Sequence, residues 1–103
     1  SLDSMFQNGK YNHPLNNWNT SKVKAMQDMF KGNTDFNQNI TMWDTSKVTS
    51  IHNMFRGATS FYQDIRVWNV SSVGHFGQMF NGATRMNGHP YNAPGTPPRN
   101  WFN

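Results

Sequence analysis

Apolar residues recur along this chain at a fixed interval of 25 positions. Trp18, Trp43 and Trp68 keep it, as do Val23, Val48 and Val73, Met29, Met54 and Met79, and Phe30, Phe55 and Phe80. A period in this range marks repeat architectures, in which one unit cannot bury its apolar face alone and its neighbours do so for it. Within one copy, Val48, Ile51, Met54, Phe55 and Ala58 fall at i, i+3, i+6, i+7 and i+10, the stripe of an amphipathic helix. Ser46 stands where it would cap the N-terminus. Gly57, like Gly32 and Gly82, stands where a left-handed residue would end the helix. The pattern therefore predicts helices near residues 21–31, 46–56 and 71–81, each too short to be stable in isolation.

The other half of each copy reads differently. "NITMW" (39–43) and "DIRVW" (64–68) alternate apolar and polar residues, the period of a half-buried strand. Short strands are expected near 14–17, 39–42 and 64–67, with Ile40 and Met42, or Ile65 and Val67, pointing inward. Leu15, Ile40, Ile65 and Pro90 share one column. The expected fold class is α/β, a short solenoid of helix-plus-strand coils of about 25 residues. A partial coil covers about 1–17, and full coils follow at 18–42, 43–67 and 68–92, so that residues 1–92 make the solenoid. The expected core is Val23, Met26, Met29, Phe30, Val48, Ile51, Met54, Phe55, Val73, Phe76, Met79 and Phe80, with Leu15, Ile40 and Ile65. Asn12, Asn37 and Asn87 are placed to bond from coil to coil, and Tyr62 interrupts their column. Residues 93–103 form a Pro-rich tail, and the stretch 89–103 holds four of the five prolines. Prolines end regular structure. The tail is read as an irregular cap, or as an arm for a partner anchored by Trp101 and Phe102.

Composition sharpens this picture at a few points. A chain of 103 residues is one small domain. Only 35% of it is hydrophobic while 15% is aromatic, so the core rests on a few large rings. The net charge of +4 reflects scarce acids, all of them Asp. Without Cys there is neither a disulfide nor a thiolate metal site. No run approaches the roughly 18 apolar residues of a membrane span. The opening "SLDSMF" falls inside a copy, so the chain is expected to be a mature product or a piece of a longer one.

The residues Trp43, Asp44, Ser46, Val48, Ile51, Met54, Phe55, Gly57, Ala58, Phe61 and Gln63, with their counterparts one period away, resemble the BspA-like, mycoplasma-type surface-protein repeat. The resemblance covers most of residues 1–88. The third copy departs from it: Val70 replaces Thr, Gly74 and Gly77 loosen the stripe, and "RMNGHPY" replaces the usual ending. The resemblance implies a leucine-rich-repeat-like solenoid acting in adhesion or protein recognition, with a cell-surface or extracellular location favoured and no catalytic residues to carry over.

Candidate chemistry is sparse. General acid–base catalysis needs two titratable groups aimed at one point, and the Asp residues sit at turn or repeat-equivalent positions. His13, His52, His75 and His89 share no metal-ligand spacing, although His52 and His75 can face one another between copies. No enzyme, metal or other cofactor is expected. Lys22, Lys24, Lys31, Lys47 and Arg56 fall outward, but with interspersed Asp and without the charge density of a nucleic-acid binder. The sequons at Asn19, Asn39 and Asn69 read as local capping chemistry. The expected role is a non-enzymatic module that binds another protein or protein complex. The alternative is a small structural or linker subunit held permanently in a large assembly. Outward positions that differ from copy to copy mark the partner surface: Asn39, Thr41, Asp64, Arg66, His89 and Tyr91, continuing onto Trp101 and Phe102.

Overall fold

In the computed structural model, which describes residues 1–102, the predicted helical stripes are runs of overlapping β-turns. In the central copy, Met54 N–H donates to Ile51, Arg56 to Asn53 and Ala58 to Phe55, each over three residues. The residues between them send their N–H groups elsewhere: Asn53 donates to the carbonyl of Gly77 (2.9 Å), Phe55 to Met79 (3.0 Å) and Gly57 to Asn81 (2.9 Å). The copy before it repeats the arrangement, with Met26, Asp28, Phe30 and Gly32 donating to Ser50, His52, Met54 and Arg56. Leu2, Ser4, Phe6 and Asn8 donate to Ala25, Gln27, Met29 and Lys31 in turn. Along these segments alternate residues bond locally and to the neighbouring copy, which accounts for the main-chain polar groups without a helix or a sheet.

The backbone dihedrals explain why no helix forms. Asp28, Asn53 and Gln78 have φ of 58°, 58° and 54°, and Gly32, Gly57 and Gly82 lie at 71–76°. A left-handed residue every fourth position interrupts a right-handed helix, and Asn, Asp and Gly tolerate that conformation best. Gln78 is the exception in kind, and its N–H is taken by Thr96 Oγ1 at 2.9 Å. The glycines are left-handed as their position suggested, but they serve turns rather than helix ends.

The expected α/β solenoid is therefore not what forms. Residues 21–31, 46–56 and 71–81 carry no helix, and 14–17, 39–42 and 64–67 no strand. Among the described residues the regular elements are a 3₁₀ turn at Ile65–Val67, one α-helical turn at Thr84–Asn87, a second 3₁₀ turn at Arg99–Trp101 and a single parallel bridge between Ala25 and Ser50. The presumed strand segments bend instead: Trp43 N–H bonds to Ile40 and Trp68 N–H to Ile65. This bend keeps Ile40 and Ile65 buried but turns Met42 and Val67 outward, 51% and 58% exposed, against the expectation that both point inward. Ser46 caps no helix; its N–H and hydroxyl both donate to Asp44 Oδ1, at 3.0 and 2.6 Å. The result is a compact globule with extents of 28 × 28 × 19 Å and a radius of gyration of 12.0 Å.

Aromatic rings in register fill its interior. Phe6, Phe30, Phe55 and Phe80 stack at centroid separations of 5.5, 5.5 and 5.7 Å. Phe36 and Phe61 lie beside this column, 4.0 Å from Phe30 and 4.1 Å from Phe55. Met29, Phe30, Val48, Ile51, Met54, Phe55, Val73, Phe76, Met79 and Phe80 are buried, and Val23 is half-buried. Side chains tie the loops in the same register. Asn12 Oδ1 accepts from Asn37 N–H and Gln38 Nε2, and Asn37 Oδ1 accepts from Tyr62 N–H and Gln63 Nε2. Tyr62 thus ends this amide ladder through its backbone. Asn87 lies outside it, donating to the carbonyls of Phe80 and Ala93.

The Pro-rich tail folds back over the last copy. Gly95 carbonyl accepts from Phe80 N–H, Arg99 donates to the carbonyls of Val70 and Val73, and Phe102 stacks on Phe76 at 5.2 Å.

Candidate functional site

The bend that replaces the third strand segment places a charged pair on the surface. Asp64 caps the 3₁₀ turn Ile65–Val67, accepting from Arg66 N–H at 3.3 Å. The same carboxylate takes Arg66 Nε at 2.7 Å on Oδ1 and Nη2 at 2.8 Å on Oδ2, a bidentate fork. The Arg66 side-chain bond holds the Asp64 carboxyl below its ordinary range, partly opposed by burial. The carboxylate in turn holds the guanidinium's own pKa up.

Arg66 is fixed on a second side. Its guanidinium lies 5.4 Å from the Tyr91 ring centroid, and Tyr91 is 5.1 Å from Tyr62 at an interplanar angle of 57°. Over the Tyr62 ring sits Arg85, 4.4 Å from its centroid, with Nη1 donating to the carbonyl of Ser60. Arg85 is carried by the helical turn Thr84–Asn87, anchored by buried Met86 and by the Asn87 amide. Tyr91 is held through its carbonyl, which accepts the indole N–H of Trp101 at 3.0 Å. The result is a continuous row, Asp64–Arg66–Tyr91–Tyr62–Arg85, whose tyrosines are half-buried and whose Arg85 is exposed.

Of the residues marked in the sequence, this row unites Asp64, Arg66 and Tyr91, with Trp101 supporting them from behind. Phe102 is 6% exposed, so it belongs to the cap and offers no anchor to a partner. His89 is exposed two residues before Tyr91. Asn39 and Thr41 stand at the positions of Asp64 and Arg66 in the preceding copy and make no bond to the row; they are bonded to each other through Asn39 Oδ1. Asn39 lines a shallow groove with Pro14, Asn16, Gln38 and Met42. Tyr62 and Arg85 were missed. The signal for Tyr62 was its break in the amide column; for Arg85 it was a long cation one period after Ser60, whose carbonyl it reaches.

The histidines do converge in one place. His52 and His75 meet edge to face at 5.5 Å, with Gly77 N–H directed at His75 Nδ1. Among the described residues no group of three or more His, Cys, Asp or Glu side chains could hold a metal ion. The row around Tyr91 offers a different chemistry. Its one carboxylate is occupied by Arg66, while its cations and phenols present donors and ring edges on a fixed surface, the equipment of binding.

The chain shows no match to a curated protein or to a solved structure. A family model described as "Mycoplasma protein of unknown function, DUF285" matches residues 1–93, from the first turn segment through the last copy to the start of the tail. That match spans most of the chain, and the protein therefore belongs to this DUF285 family.

Proposed function

We propose that the chain is a non-enzymatic recognition or adhesion module of a cell-surface, BspA-like kind, and that it binds another protein through the Asp64–Arg66–Tyr91–Tyr62–Arg85 row. The observation that carries this reading is the double cation–π arrangement, with Arg66 over Tyr91 and Arg85 over Tyr62. Tyr and Arg are the types that dominate interface hot spots. Here they are fixed in place before any partner arrives, which lowers the ordering cost of association. The alternative of a subunit embedded in a large assembly drew on an apolar tail in need of a host. That tail already rests on Phe76 and Phe80, which favours the module.

The test is an array of purified extracellular and surface proteins probed with the intact chain. Saturable binding to a protein is expected, weakened by about 1–3 kcal/mol when Arg66 and Tyr91 are each replaced by Ala. Binding that survives both changes and fails on replacing Lys24, Lys31 and Arg56 would move recognition to another face.

A further inference from the structure

The row makes one arrangement twice and completes it once. Arg66 lies over the Tyr91 ring, 5.4 Å from its centroid, and Arg85 over the Tyr62 ring at 4.4 Å. An arginine stacked on a ring uses its π-face there and keeps its in-plane donors for a planar acceptor. On Arg66 the edge formed by Nε and Nη2 carries the two oxygens of Asp64, at 2.7 and 2.8 Å. On Arg85 only Nη1 is bonded, to the carbonyl of Ser60 at 3.2 Å. Among the described residues the Nε and Nη2 of Arg85 meet no protein acceptor, and the Asp64–Arg66 fork is the one ion pair.

The charge of the row follows from this. Asp64 neutralises Arg66, which leaves Arg85 as the cation without a counter-charge. Arg85 is exposed where Arg66 is half-buried, so a second molecule can reach it. Its guanidinium is nevertheless held in place, by the Tyr62 ring and the Ser60 carbonyl, on a helical turn anchored by buried Met86.

We infer that the partner bound by the row carries an acidic side chain, whose carboxylate seats on the Nε–Nη2 edge of Arg85 as that of Asp64 seats on Arg66. This deepens the reading of the row as a protein-binding surface and rests on it. The completed half of the row specifies the chemistry: a planar, two-oxygen acceptor matches the guanidinium fork bidentately. The fixed guanidinium lowers the ordering cost of that contact. The net charge of +4 favours the approach of an acidic partner from further away.

The probe is acetyl-tetraglutamate amide, titrated into the isotope-labelled intact chain and followed through the arginine Nε–Hε signals. A saturable shift at Arg85 is expected, with a dissociation constant on the order of 1–10 mM, and a smaller one at Arg66, whose edge is already held. The tetraglutamine counterpart should leave both signals in place. Arg85→Lys keeps the charge but loses the planar fork, and should weaken binding of the glutamate peptide at least about threefold with the fold unchanged. No saturable shift at Arg85, equal binding by Arg85→Lys, or shifts centred on Lys24, Lys31 and Arg56 would each overturn the proposal. Inorganic phosphate that saturates Arg85 at lower concentration than the glutamate peptide would overturn the choice of a carboxylate. Failure of the peptide beside protein binding that still depends on Arg66 and Tyr91 removes only the acidic contact. Protein binding indifferent to Arg66 and Tyr91 removes the reading of the row itself.

Discussion

The indole N–H of Trp68 donates to the carbonyl of Ile40 at 3.1 Å, and Trp43 makes the equivalent bond to Leu15 at 3.0 Å. The two rings stack at 6.4 Å with 9° between their planes. Each tryptophan thereby adds a second bond to a main-chain carbonyl one copy back, beside the local bond that the bend supplies. Trp68→Phe would remove one of the two bonds that the Ile40 carbonyl accepts, leaving that from Trp43 N–H, and should destabilise the fold by about 0.5–1.5 kcal/mol. Trp18→Phe, at a site more than a third exposed, should change stability by less than about 0.5 kcal/mol. Chemical denaturation of the two variants checks the contrast, and equal losses would show that the bond does not matter.

Phe55 stands in the centre of the phenylalanine column, between Phe30 and Phe80 and against Phe61. Phe55→Ala should cost about 3–5 kcal/mol. Against the roughly 5–15 kcal/mol that holds a small domain together, such a loss approaches unfolding. A shift of only a degree or two in Tm would remove Phe55 from the core.

Gly57 has φ of +72°, and a Cβ added there would meet only Gly32 atoms at an ordinary 3.7 Å. Gly57→Ala therefore isolates backbone strain from steric clash. A loss of about 1–2 kcal/mol is expected for an L-residue held in the left-handed region. Gly32→Ala should cost a similar amount, because Asn8 Oδ1, the atom its Cβ would meet, ends an exposed side chain that can rotate away. Thermal unfolding of the pair checks both, and no loss at Gly57 would mean that the turn there has another geometry.

The burial pattern was legible in the sequence, and the secondary structure was not. Ile51, Met54, Phe55 and Ala58 are buried at the spacing of a helical stripe. A run of turns with a left-handed residue every fourth position produces the same spacing of buried side chains, so periodicity alone could not separate the two. The separating signal was small: Asn53 between Ile51 and Met54, and Asp28 between Met26 and Met29, types that favour left-handed turns over helix interiors. Asn33 was likewise overlooked. It is fully buried, donates to the carbonyls of Phe6 and Tyr11, and accepts from Asp35 and Phe36 N–H, yet its counterparts are Ala58 and Ala83. At the candidate site, non-repetition pointed to Arg66 and Tyr91. The cation–π partners Tyr62 and Arg85 depended on a helical turn that the third copy's altered ending creates.

The Asp64–Arg66 fork makes a prediction in pH. The carboxyl's folded pKa is lowered, chiefly by the Arg66 side-chain bond, so its contribution to stability is present above the unfolded value of about 3.9. It is lost as the pH falls through the folded value. The pair is about a third or more exposed, which keeps that contribution small. Carboxyl carbon shifts should place the Asp64 midpoint below the ordinary carboxylate range, and Arg66→Ala should raise it towards that range. An unchanged midpoint in the variant would mean that the fork is not formed in solution.

The central claim is that alternate N–H groups of each stripe bond to the neighbouring copy rather than back along a helix. Scalar couplings across hydrogen bonds, between an amide nitrogen and the accepting carbonyl carbon, read this directly. Phe30 nitrogen should couple to Met54 carbonyl carbon and Phe55 nitrogen to Met79, the pairs held at 2.9 and 3.0 Å. Couplings from Phe30 to Met26 and from Phe55 to Ile51, the i to i−4 pairs of an α-helix, would contradict it.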